Sequence, residues 1–135
     1  MTDKNDAKKA ERKIREALQV LEILDFPRQQ QNERSALTLL SLLNLKPADA
    51  WESASDPLIG ITPMMEFFAV HYGKKYAPNT RETVRRQTVH QFVQAGMIVP
   101  NPDIPSRPTN SPKAVYQIEP SALKLLRTFG KPNWN

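Results

Sequence analysis

The feature that most constrains the fold of this chain is an ordered series of signals between residues 78 and 120. A polar and basic segment over residues 79–95 has the apolar periodicity of a helix. Residues 97–100 and 114–118 have the composition of two short strands, and a proline-rich loop, residues 101–113, joins them. Because proline cannot supply ladder hydrogen bonds, this segment is predicted to be a stiff loop rather than a long hairpin.

A second helix is predicted immediately before this series. Thr62 is a favourable N-cap for a helix over residues 62–72, and Gly73 provides its stop. After a short turn, Asn79 is the predicted N-cap of helix 79–95, with Glu82 three residues later as in a capping box. Together with the strand, loop and strand that follow, the pattern predicts a mainly α fold with a small β-hairpin, a winged helix-turn-helix with an extra N-terminal helix.

The first part of the chain is predicted to be a helical arm and a core helix. Residues 1–27 form the arm, with a helix over residues 2–24 that packs either on the domain or on another chain. The winged helix-turn-helix occupies residues 28–135. Its first helix, residues 29–43, is apolar on more than one face and is therefore predicted to lie at the centre of the core, and Trp51 is predicted to pack the following connection onto that core.

The charge of the chain is divided unevenly along its length. Residues 1–70 carry nine Lys and Arg against eleven Asp and Glu, whereas residues 71–135 carry ten against three. The basic excess favours a polyanionic partner such as DNA. The absence of cysteine excludes disulfides and thiolate metal sites. Since the chain lacks an apolar run of about 20 residues and a signal-peptide pattern, we expect no membrane association and a cytoplasmic location.

On a helical wheel of residues 79–95, the apolar side chains share one side and a polar set lies opposite. That set includes Arg86 and Gln87, residue types that bind guanine and adenine edges. We therefore predict that this helix binds the major groove of double-stranded DNA and that loop 101–113 binds the backbone. The predicted DNA-binding residues are Tyr76, Asn79, Thr80, Arg81, Thr83, Arg85, Arg86, Gln87, His90, Arg107, Thr109, Asn110, Ser111 and Lys113.

Two other functions fit the same pattern. A free-standing winged-helix transcription regulator would use the same helix and loop on DNA. A winged helix that serves as a protein-interaction or dimerisation module would instead pair its Arg-rich face with acidic residues. The residues alone leave both alternatives open.

Three long strings resemble a known family. They are QQQNERSALTLLSLLNLKP (29–47), GITPMMEFFAVHYGKKYAPNTRETVRRQTVHQFVQAG (60–96) and NPDIPSRPTNSPKAVYQIEPSALKLLRTFG (101–130). These strings are similar to the N-terminal helix-turn-helix domain of the BsuBI/PstI family of type II restriction endonucleases, and the resemblance covers roughly residues 10–135.

The resemblance implies more than the residues show. Members of this family are magnesium-dependent DNA endonucleases of restriction–modification systems, and their prototypes cut the palindrome CTGCAG. A palindromic site implies a symmetric homodimer. Their nuclease domain, of the PD-(D/E)XK type, follows the helix-turn-helix domain, so the resemblance implies that this chain ends where that domain would begin. The parent protein would then be a site-specific deoxyribonuclease, with Mg²⁺ held by the missing domain and no cofactor in this chain.

A complete nuclease site is not predicted within the chain. Asp103, after Pro102, offers the first half of the motif that holds Mg²⁺. Downstream, Glu119 is the only acid, and Ser121 stands where the motif needs a lysine. The sequence therefore predicts no catalytic or metal-binding residue, and it leaves open whether this chain is itself an enzyme.

Overall fold

The computed structural model of the chain describes residues 4–131. Within this range, the helices are α1 (Lys4–Ile23), α2 (Glu33–Leu42), α3 (Ile61–Tyr72), α4 (residues 80–94) and α5 (Pro120–Leu126), and the strands are β1 (Ile98–Pro100) and β2 (Tyr116–Ile118). Helix α4 is continuous, with α-helical Thr80–Thr83, π-helical Val84–Val89 and α-helical His90–Gln94. Short 3-10 turns lie at Arg28–Gln30 and Trp51–Ser53. The prediction of a mainly helical chain with a small antiparallel hairpin is confirmed.

Helix α2 lies at the centre of the core. Every residue from Ser35 to Leu42 is buried, and α1, α3 and α4 all pack against this helix. It begins at Asn32, whose side chain accepts a hydrogen bond from the Ser35 amide at 2.9 Å. The predicted start at Gln29 was wrong, because residues 28–30 form a separate 3-10 turn before the cap.

Helix α1 packs on the rest of the chain through an apolar stripe. Its buried apolar side chains are Ile14, Ala17, Val20 and Leu21, and the helix contacts α2 and α3. The predicted start at Thr2 lies outside the described residues. The helix ends near the predicted position, where Asp25 adopts a positive φ of 62° and Phe26 turns into the core.

The long connection between α2 and α3 is fixed to the core by Trp51, as predicted. This ring is buried, lies 5.1 Å from Phe129 between centroids, and donates a hydrogen bond to Glu16 at 3.0 Å. Later in the connection, Ile59 exchanges backbone hydrogen bonds of 3.0 and 2.9 Å with Tyr116. An extended segment therefore lies beside β2, on the opposite edge from β1.

Two of the predicted helix caps were wrong. Helix α3 begins after Gly60, so Thr62 lies within its first turn and its hydroxyl is available to other partners. Asn79 has a helical backbone and its side chain makes no capping bond. The physical reason is that the Thr80 and Arg81 amides already donate to the Ala77 and Pro78 carbonyls. These backbone carbonyls accept the hydrogen bonds that the Asn79 side chain was predicted to accept. The predicted stop at Gly73 is confirmed by its left-handed φ of 65°.

The two strands of the hairpin follow the prediction with shorter bounds. Strand β1 pairs with β2 antiparallel, with Val99 opposite Gln117. Helix α5 begins at Pro120, after Glu119, whose side chain accepts a hydrogen bond from the Ala122 amide at 3.0 Å. Loop 101–113 lies beside α4, where Arg81 is 3.5 Å from the Pro112 carbonyl.

The packing of Phe92 tests how α4 is held on the core. Phe92 is 1% exposed and its ring centroid lies 5.1 Å from that of Phe26. Because Phe92→Ala leaves a cavity, we expect it to lower the free energy of unfolding by about 3–5 kcal/mol in urea denaturation. Gln94→Ala, at an exposed position of the same helix, is the control and should change stability by no more than about 0.5 kcal/mol. Equal stability of the two variants would contradict this account of the core.

Candidate nucleic-acid interface

One side of α4 is free of the core and polar. The Arg86 side chain is 73% exposed, and Gln87, His90 and Gln94 are exposed beside it. The opposite side carries Val84, Thr88, Val89 and Phe92, all buried. The core therefore fixes the rotation of α4, and the polar side chains that could donate and accept hydrogen bonds point into solvent.

The arginines of α4 differ in what holds them. Glu82 binds Arg85 at 2.8 Å and Arg86 at 3.4 Å, so one carboxylate serves two guanidinium groups. The hydrogen bond from Arg85 holds the pKa of Glu82 below its usual range. The Arg85 side chain is 21% exposed, in contrast to Arg86. Arg86 is therefore the more solvent-exposed arginine of this pair.

The start of α4 is tied to two neighbouring elements through Arg81. Its Nε donates to the Thr62 hydroxyl at 3.1 Å, and a second nitrogen lies 3.5 Å from the Pro112 carbonyl. These contacts join α4 to α3 and to loop 101–113. Asn79 is exposed at this end, and Thr80 and Thr83 are half-buried.

Loop 101–113 is folded around Asn101, which is 2% exposed and has a positive φ of 48°. Its side-chain nitrogen, Nδ2, donates to the Arg107 carbonyl at 3.0 Å, and its side-chain oxygen accepts from the Val115 backbone amide at 3.0 Å. The same oxygen accepts from the Arg107 guanidinium at 3.1 Å. A single buried amide thus closes the base of the loop.

Arg107, a predicted DNA-binding residue, is used inside the loop. It binds both carboxylate oxygens of Asp103 at 3.1 Å, and its side chain is 15% exposed. Its hydrogen bonds hold the pKa of Asp103 below the usual range. The tip beyond Arg107 is more open, since Thr109, Asn110 and Lys113 are exposed and Ser111 is half-buried.

A cleft of about 350 Å³ separates α4 from this loop. Its lining residues are Arg85, Arg86, Val89, His90, Val93, Pro100, Thr109 and Tyr116. Burial raises the pKa of the Tyr116 hydroxyl, so the aromatic wall is neutral while the two arginines supply positive charge. The cleft brings four of the predicted residues together: Arg85, Arg86, His90 and Thr109. It also contains Val93 and Tyr116, which the sequence assigned only to the core side and to a strand.

Tyr76 lies in the turn between α3 and α4. It is half-buried and packs edge-on against Phe68, with ring centroids 6.1 Å apart. Burial also raises the pKa of its hydroxyl. Its observed contacts support the turn, and it is not among the residues that line the cleft.

The two acids of the incomplete nuclease motif have other partners. Asp103 binds Arg107, and Glu119 caps α5. Among residues 4–131, no three His, Asp and Glu side chains come together in a group that could hold a metal ion. Over the same range, no helix is long and apolar enough to cross a membrane.

A family model described as the BsuBI/PstI restriction endonuclease HTH domain matches residues 11–135. The chain belongs to this family. The type II restriction enzyme BsuBI of Bacillus subtilis is 57% identical over 122 residues, which is 90% of this chain and 39% of that protein. The type II restriction enzyme AplI of Arthrospira platensis is 37% identical over 134 residues, which is 99% of this chain and 41% of that protein. The resemblance found in the sequence is therefore confirmed.

A solved structure supports the same assignment. The structure of SdaI restriction endonuclease has a TM-score of 0.84 and 35% identity, over 87% of this chain and 37% of that chain. The chain spans about two fifths of the length of the curated relatives that it matches. The observed fold is therefore that of one part of these longer proteins.

The Asp103–Arg107 pair gives a prediction that depends on pH. Because the pKa of folded Asp103 is depressed, the pair stabilises the loop above the pKa of the unfolded chain, and this stabilisation is lost as pH falls through the folded pKa. Arg107→Met should raise the pKa of Asp103 back toward its usual range in a ¹³C NMR titration of the carboxyl group. Arg86→Met, which removes an exposed arginine of α4, is the control and should leave it unchanged. An identical titration of Asp103 in wild type and Arg107→Met would show that the pair does not form in solution.

Proposed function

We propose that this chain binds double-stranded DNA as the DNA-binding domain of a type II restriction endonuclease. In this proposal the domain is a winged helix-turn-helix, with α4 in the major groove and loop 101–113 on the DNA backbone. The observation that carries it is the arrangement of the exposed polar side of α4 next to the polar loop tip, in a chain that belongs to a restriction-endonuclease family.

The side chains of α4 suit the reading of base edges. Arg86 can make two hydrogen bonds to guanine, and Gln87 can make two to adenine. Both are exposed, and α4 is anchored through its opposite side, so its exposed side is preorganised for a groove. Arg81 and Arg85 lie near the start of the helix, where we propose that they contact phosphates in addition to their structural ties to Thr62 and Glu82.

The loop suits contact with the backbone. The extended segment at Ile59 and the two strands support the comparison with a wing, because Tyr116 pairs with Ile59 and Pro100 on its two sides. Arg107 stiffens the base of the loop, so the proposed phosphate contacts come from the tip, chiefly Lys113 with Thr109 and Asn110.

The activity of the whole protein is also a proposal. We propose a longer protein that works in the cytoplasm as a homodimer on a palindromic site, with CTGCAG as the first sequence to test. Cleavage would need Mg²⁺ to activate water, and the described residues of this chain do not fit that ion. We therefore assign the cutting chemistry to a separate nuclease domain, and positioning of the DNA to this chain.

Two classes of variant should separate base reading from backbone binding. Arg86→Ala and Gln87→Ala should each reduce the discrimination between a preferred duplex and its single-base variants by about 1–3 kcal/mol, because each removes a bidentate base contact. Lys113→Ala should weaken all duplexes equally and reduce the slope of log affinity against log salt by about 0.9, the value for one phosphate. Both are measured by fluorescence anisotropy with labelled duplexes, CTGCAG-containing and scrambled.

Arg15→Ala is the matched control, because Arg15 is an exposed cation of α1 that lies outside the proposed interface. It should leave both the preference and the salt dependence unchanged. Absence of binding to any duplex at low salt would overturn the proposed function. If Arg86→Ala and Lys113→Ala both weaken binding without changing preference, the chain positions DNA and does not read it.

A further inference from the structure

The middle of α4 departs from α-helical geometry. Residues Val84–Val89 form a π-helix, and the His90 amide donates to the carbonyl of Arg85, five residues earlier. A π turn contains more residues than an α turn, so it changes the angular position of everything after it relative to everything before it. Compared with a continuous α-helix, one extra residue in the turn rotates the side chains that follow it by about 100°, the rotation of one helical residue.

This segment contains a buried hydroxyl with a partner from another helix. Thr88 is fully buried, and its Oγ1 accepts a hydrogen bond of 2.9 Å from the Nε of Arg34. Arg34 lies in the first turn of α2 and is half-buried. Within a helix, a threonine hydroxyl commonly bonds a carbonyl of its own preceding turn, so a partner 54 residues away is a distinct arrangement.

The start of α2 is also joined to the turn before α4. Glu33, adjacent to Arg34, forms an ion pair of 3.5 Å with Lys74. Both side chains are more than 40% exposed, so this pair contributes little on its own. The contact of Arg34 with the buried Thr88 hydroxyl is the stronger constraint, because a buried hydroxyl that loses its partner is costly.

The π segment lies where a change of register has the largest effect on the proposed interface. Arg86 and Gln87 are inside it, and His90 and Gln94 follow it. Side chains on the two sides of the segment are presented together only while its hydrogen-bond register is kept. A side chain that holds this register would therefore influence which bases α4 contacts without touching DNA.

We propose that Arg34 is a positioning residue that sets the base preference of α4 by holding the π segment through Thr88. This inference rests on the proposed DNA binding. It adds a residue of α2, 54 residues before Thr88 in the sequence, to the proposed determinants of specificity. It distinguishes Arg34 from a phosphate contact, because its effect passes through the Thr88 hydroxyl.

The test is a double-mutant cycle on the full 135-residue chain. Thr88→Val keeps the shape and removes the acceptor, Arg34→Met removes the donor, and the double variant removes both. Thr88→Ser, which keeps the hydroxyl, is the matched control. Binding is measured as the enrichment of sequences from a pool of randomised duplexes and as the affinity for mixed-sequence DNA at several salt concentrations. Hydrogen exchange of the His90 amide reports directly on the π segment.

We expect Thr88→Val and Arg34→Met each to reduce discrimination at one or more base positions by roughly fivefold or more, the effect of losing a bidentate base contact. The double variant should be no worse than either single variant, because both act on one bond. In these three variants the affinity for mixed-sequence DNA and the slope of its salt dependence should be unchanged, and the His90 amide should exchange faster. Thr88→Ser should resemble wild type in every measurement. Should Thr88→Val not fold, Arg34→Met decides alone, since it leaves the packed core in place.

Two results would overturn this role while leaving the proposed function intact. One is an unchanged preference in both single variants of a chain that binds DNA. The other is a general loss of affinity with a lower salt slope in Arg34→Met alone, which would make Arg34 a direct phosphate contact. If wild type binds no duplex, the proposed DNA binding itself fails, and this inference fails with it.

Discussion

The burial of α2 on all sides is the constraint on which the other elements depend. Its residues from Ser35 to Leu42 are removed from solvent, and leucines on different faces of the helix need different partners. Helices α1, α3 and α4 each cover part of it. Full burial of a leucine side chain contributes about 1.5–3 kcal/mol, so displacing any of these three helices would expose a large share of the core. The orientation of α4 is therefore a consequence of the packing around α2.

Helix α4 meets two demands along its whole length. One side must present Val84, Val89 and Phe92 to the core, and the other must keep Arg86 and Gln87 in solvent. Neighbouring carboxylates also pair with some of the arginines. Glu82 draws Arg85 close to the helix, and Asp103 draws Arg107 into the loop, so these cations act first as structural ties. Fewer cationic side chains are therefore exposed and unpaired near α4 and the loop than the number of basic residues implies.

Much of this arrangement is visible in the sequence, and the exceptions have physical causes. Gly73, the two strands and the role of Trp51 follow from local patterns, because each depends on a backbone conformation or on a large apolar ring. The cap at Asn79 was not correct, since backbone carbonyls of the preceding turn took its place. The retention of Arg107 within the loop depends on the buried amide of Asn101, which no periodicity reveals. The π segment is also invisible on a wheel, because its buried residues fit an α-helical face nearly as well.

Membership of the family does not by itself determine which side chains contact DNA. The long segments similar to restriction endonucleases identify the domain, since they include both core and surface residues. Under the proposed function, which side chain would meet a base depends instead on the rotation of α4 and on its hydrogen-bond register, for which we propose a role of the contact with α2. On this proposal, a relative that keeps Arg86 and Gln87 would prefer a different DNA sequence if the contact between positions 34 and 88 were altered. If the proposed DNA binding holds, base preference would then depend on the core beneath α4 as well as on its exposed side chains.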